Sequence, residues 1–125
     1  MKIETNNNTS FGMALHMPKR ENIAKKVGPY CAWQADFARP LLKQLAKDVD
    51  IYIQPENRSN RAGYKGFTII VKPLKEKNIF KRLFSNRPYE EAHASMFELN
   101  DKKDMTSLLI DKTTKIKEQF LKYNV

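Results

Sequence analysis

The sequence predicts an α+β domain: a small antiparallel β-sheet of about three strands, packed on one face by helices, with a long helix at the C-terminus. Three observations carry this expectation. Residues 48–55 and 66–73 alternate apolar and polar side chains, and the loop between them is too short for a crossover helix. Residues 29–48 and 100–124 repeat apolar side chains at helical spacing. At 125 residues the chain has single-domain length and can bury about two-thirds of its unfolded surface.

The elements follow in order. Residues 1–10 are polar and asparagine-rich and read as a flexible terminus, leaving 11–125 as the domain. In "SFGMALHMP" the side chains of Phe11, Met13, Leu15 and Met17 share one face, the mark of a half-buried strand that Pro18 ends. A basic connection with room for a helical turn follows. In "PYCAWQADFARPLLKQLAKD" the residues Tyr30, Trp33, Phe37, Leu41 and Leu45 have helical spacing, so the three aromatics are expected in the core. Pro40 would break a helix interior, which places the start of the main helix near Asp36–Arg39 with a separate or kinked segment before it.

Two strands come next. Val49, Ile51 and Ile53 face one way and Asp50, Tyr52 and Gln54 the other, while Phe67, Ile69 and Val71 point inward from the second strand. Both are expected to end at a proline. Residues 74–86 carry an apolar stripe of Ile79, Phe80, Leu83 and Phe84 that suits a short helix. Pro88, Glu90 and Glu91 suit the N-terminus of another helix over "RPYEEAHASMFEL". The last helix is expected to be capped by Asp101, with Met105, Leu108, Leu109, Ile116, Phe120 and Tyr123 as its stripe. Strand, helix, strand, strand, helix is the order of the first part of a ferredoxin-like fold.

Charge is uneven. Of the net +9, residues 55–89 hold nine basic and two acidic side chains. A localised basic block is the footprint expected for a polyanion partner. The candidate contacts are Arg58, Arg61, Lys65, Lys72, Lys75, Lys81, Arg82 and Arg87, with Tyr64 placed to stack on a base. The leading expectation is therefore a basic, non-catalytic binding protein for a nucleic acid or another acidic partner. The alternative is a protein–protein adaptor or homodimer that uses the C-terminal helix or the 79–84 stripe. That stripe, beside Lys81 and Arg82, also suits an anionic membrane surface.

Other chemistry finds little support. "GYKG" matches the loop of KH modules but feeds a strand, and "KGFTIIV" leaves the RNA-recognition signature after its third residue. There is no P-loop, G-x-S-x-G or dinucleotide fingerprint, so no cofactor is expected. Asp48 and Asp50 form the D-x-D on which an enzyme reading would rest. Glu90 and His93 would share a helical face, but with His16 as the other histidine they do not make a zinc site. Cys31 is the single cysteine, so no internal disulfide forms, and it reads as a buried apolar residue. No apolar run reaches membrane-spanning length and no leader pattern is present, which reads as a soluble, cytoplasmic chain. The opening "NNTSFGMAL" resembles the start of small bacterial proteins of unknown function with a Ser-Phe-Gly element. The resemblance covers nine residues and implies no activity and no site.

Overall fold

The computed structural model describes residues 14–58, 64–73 and 89–124, apart from the side chains at 58, 64 and 124. In chain order the elements are β1 (Leu15–His16), α1 (Arg20–Val27), α2 (Pro29–Leu45), β2 (Val49–Arg58), β3 (Tyr64–Pro73), β4 (Glu90–Ser95), a 3-10 turn at Met96–Glu98 and α3 (Met105–Asn124). The expected α+β architecture is observed, with four strands among the described residues, close to the expected number of about three.

The sheet runs β1-β2-β3-β4. The β2–β3 hairpin is antiparallel, with Val49 opposite Pro73 and Arg58 opposite Tyr64. β4 lies antiparallel to β3, with Val71 opposite Glu90, while β1 lies parallel to β2 with Leu15 opposite Ile51. β1 therefore neighbours β2 directly. A ferredoxin-like sheet would insert a strand between them, so that topology is corrected to an unsplit β-α-β unit followed by an antiparallel meander.

β4 corrects the helix expected after Pro88. Its sequence also alternates: Ala92 and Ala94 turn toward the core and Glu91 and His93 away. The free edge of β3 offers backbone groups that need partners, and pairing there outweighs the helix-forming tendency of Glu and Ala. β2 also runs through Pro55 instead of ending there. Ile51 N donates to Ala14 O of the β1 side, so the nitrogen of residue 55 points the same way, past the end of β1. No ladder bond is lost.

The helices cover one face. Val49, Ile51, Ile53, Phe67, Ile69, Val71 and Ala94 are buried beneath them with Ile23, Leu42, Leu108 and Leu109. α1 packs on β2, α3 packs on β3 and β4, and α2 touches both helices. Asp104, not Asp101, caps α3: its carboxylate accepts from Ser107 N at 2.9 Å. Gln34 then fixes α2 to that end of α3, because Thr106 Oγ1 donates to its side-chain oxygen at 2.7 Å and to its carbonyl at 2.8 Å. Met105, Leu108, Leu109, Ile116 and Phe120 face inward, whereas Tyr123 is exposed.

One residue separates α1 from α2. Gly28 has φ 94° and ψ 160°, a combination open essentially to glycine alone. It lets Pro29 start α2 at once, where a missing N–H costs nothing. The helix then continues through Pro40 to Leu45, so the expected start near Asp36–Arg39 is corrected. Pro40 is exposed, where water can satisfy the carbonyl of Asp36. Packing of the whole 17-residue helix outweighs that local loss.

Candidate functional site

α2 carries two apolar faces. At 3.6 residues per turn, Cys31, Ala35, Ala38 and Leu42 fall on one side, and Tyr30, Trp33, Phe37 and Leu41 fall about a third of a turn away. The small side is buried: Ala32, Ala35, Ala38 and Leu42 are at 0 % exposure. The large side is open, with Tyr30 at 53 %, Trp33 at 49 %, Phe37 at 58 % and Leu41 at 49 %. The aromatic trio expected in the core is thus on the surface. Turning the helix to bury it would expose Leu42 and break the Gln34–Thr106 bonds. It would also break the hold of Arg39, whose Nη2 donates to Pro18 O at 2.8 Å.

The open side forms a continuous ridge. The rings of Trp33 and Phe37 meet at 5.0 Å with a tilt of 58°, a favourable aromatic geometry. Exposed Pro29, Pro40 and Gln44 fill in around them, so the ridge carries no charge. Charged Asp36 and Lys43 lie together on one flank. Beside Tyr30 and Trp33 a cleft of about 500 Å³ opens against Arg20, Glu21 and Ala24 of α1. Half-exposed, four such side chains present about 400 Å² of mostly apolar area. That is the size at which a surface patch is often functional.

The sheet face away from the helices is polar. His16 stacks on Tyr52 with centroids 4.2 Å apart, and its Nε2 lies 3.3 Å from the buried carboxylate of Asp50. The Lys72 ammonium sits 5.4 Å from the Tyr52 ring and 5.9 Å from that of Tyr89. Two strands further on, His93 Nε2 lies 2.9 Å from Glu91 and Nδ1 lies 3.3 Å from Thr68 Oγ1. Hydroxyl, imidazole and carboxylate stand in a row, but Thr68 is only 8 % exposed, so its hydroxyl lacks open approach. The row is a cross-strand polar cluster.

Two of the basic residues expected to meet a polyanion, Lys65 and Lys72, lie on opposite faces of β3. Lys65 acts on Cys31 on the helix side, and Lys72 stands on the open face. Arg61, Lys75, Lys81, Arg82 and Arg87, the side chains of Arg58 and Tyr64, and the 79–84 stripe lie outside the described residues. Asp48 and Asp50 diverge. Lys117 Nζ donates to Asp48 at 3.0 Å and holds that carboxyl below its ordinary range, while Asp50 faces His16. Glu90 and His93 fall on opposite faces of a strand, not on one helical face. Among the described residues no group of three potential ligands could hold a metal ion. Cys31 is buried as expected, and burial pushes its thiol pKa up, with Lys65 opposing. No described helix is long and apolar enough to cross a membrane.

Sequence reasoning found the ridge residues but gave them the wrong side. The missed signal was the second stripe of Cys31, Ala35, Ala38 and Leu42. One helix cannot turn both stripes to one core, and small residues allow the closer approach. Comparison of the chain with protein-family models, curated proteins and solved structures finds no match.

If the ridge does no work in the fold of a single chain, Phe37→Ser should change unfolding stability, measured at a dilution where the chain is monomeric, by no more than about 0.5 kcal/mol. Leu42→Ala on the buried side should cost about 2–5 kcal/mol. Urea titrations of the two variants check this, and equal losses would return the aromatics to a structural role.

Proposed function

We propose that this protein is a non-catalytic interaction module whose docking surface is the outer face of α2. One observation carries the reading: four large apolar side chains stand half-exposed in an unbroken, uncharged ridge. Trp and Tyr are the side chains that most often anchor interfaces, since they bury much area and lose little rotamer freedom. A ridge held on a packed helix also needs little reorganisation on binding. A photo-reactive phenylalanine analogue at position 37 should give a protein adduct in cells of the source organism. The adduct should map to one surface, and the same analogue at exposed position 118 should give none. Equal labelling at both positions would defeat the proposal.

A second reading keeps the basic hairpin as a polyanion-binding element. Lys72 favours it, because it stands on the open sheet face beside the exposed ring of Tyr89, a cation next to a stacking surface. Its described neighbours Asp50 and Glu91 oppose it. Anisotropy titration with a labelled single-stranded oligonucleotide should show binding that weakens steeply as salt rises. Absence of binding at low salt ends this reading.

A further inference from the structure

We infer that the occupant of the α2 ridge is a second copy of this chain, paired through its own α2 about a two-fold axis. The inference rests on the reading of that ridge as a docking surface. Two features select a second copy over another protein. First, the ridge is uncharged in a chain of net charge +9, so an acidic partner steered to this molecule gains no charge pairing on the ridge itself. Second, the charges on its flank are self-complementary. Asp36 and Lys43 lie two turns apart on the same side of the ridge. A two-fold axis perpendicular to antiparallel helices brings each flank against its own copy.

With the axis at Arg39, Phe37 falls opposite Leu41 of the second copy and Trp33 opposite its Gln44. On the flank, Asp36 meets its Lys43. The three pairs centre within about half a residue of Arg39, under about 1 Å along the helix, so one register brings the large-against-small packing and the opposite charges together. Arg39 itself is turned away from the ridge, held by Asp36 and by the carbonyls of Met17 and Pro18. A stable interface takes about 800 Å² from each side. The four ridge side chains supply about half of this, and Pro29, Pro40, Lys43 and Gln44 extend it.

Sedimentation velocity of the full chain over a concentration series, with the emission of its single tryptophan read in parallel, tests the inference. A dimer should form as concentration rises, and Trp33 emission should shift to the blue in step. Added salt should strengthen it, since two +9 bodies repel. Phe37→Ser should abolish it. Lys43→Asp, which leaves the Asp36–Arg39 pair intact, should weaken it about tenfold. Circular dichroism on each variant confirms that it is folded.

A monomer at every concentration, with the position-37 adduct formed to a different protein, overturns the second copy and leaves the docking surface standing. A monomer with no position-37 adduct removes both. A dimer insensitive to Phe37→Ser or to Lys43→Asp also overturns the inference.

Discussion

The close seating of α2 through its small side chains is the constraint on which the rest of the molecule depends. Cys31, Ala32, Ala35 and Ala38 carry little volume, so this helix approaches its neighbours closely while α1 and α3 supply Ile23, Leu108 and Leu109 to the core over the sheet. Two polar anchors fix its rotation: Gln34 holds the start of α3, and Arg39 holds the carbonyls before α1. Once rotation is fixed, the fate of the other side follows. Tyr30, Trp33, Phe37 and Leu41 have nowhere to go but outward. Their exposure is a consequence of how the core is closed.

That geometry divides the surface into unlike regions. The outer face of α2 is apolar and uncharged. The open face of the sheet is polar, with each histidine set against a carboxylate and an aromatic or hydroxyl neighbour. The basic side chains of β3 stand on both sides of the sheet, so the described part of the charge excess does not gather on one face. A ridge that offers area without charge suits packing against another ridge. A face that holds its charges in internal pairs has less to offer a polyanion.

Much of the architecture was legible in the chain. Val49, Ile51 and Ile53 against Phe67, Ile69 and Val71 announce a half-buried hairpin, but not its register or the run of β2 on through Pro55. The stripe of α3 is equally plain, down to Met105 and Phe120. β4 was hidden because Glu90, Glu91 and Ala92 favour a helix locally, and only the unpaired edge of β3 makes them a strand. Pro40 misled in the same way, since a local penalty of about 3 kcal/mol says nothing of the packing that outweighs it. The placement of His16 and His93 on one sheet face depends on pairings between strands far apart in sequence. At the ridge the residues were legible and their direction was not. Hydrophobicity alone ranks Trp33 above Ala35 for burial, and only the space between packed elements reverses the order.

The small face of α2 is therefore the one pressed into the core, and everything said of the outer face follows from it. Equilibrium unfolding of Ala35→Leu tests this most directly. With no room at 0 % exposure, the added methylenes should cost about 1–3 kcal/mol. An unchanged or increased stability would mean that position 35 faces free space, and that α2 is not seated through its small side chains.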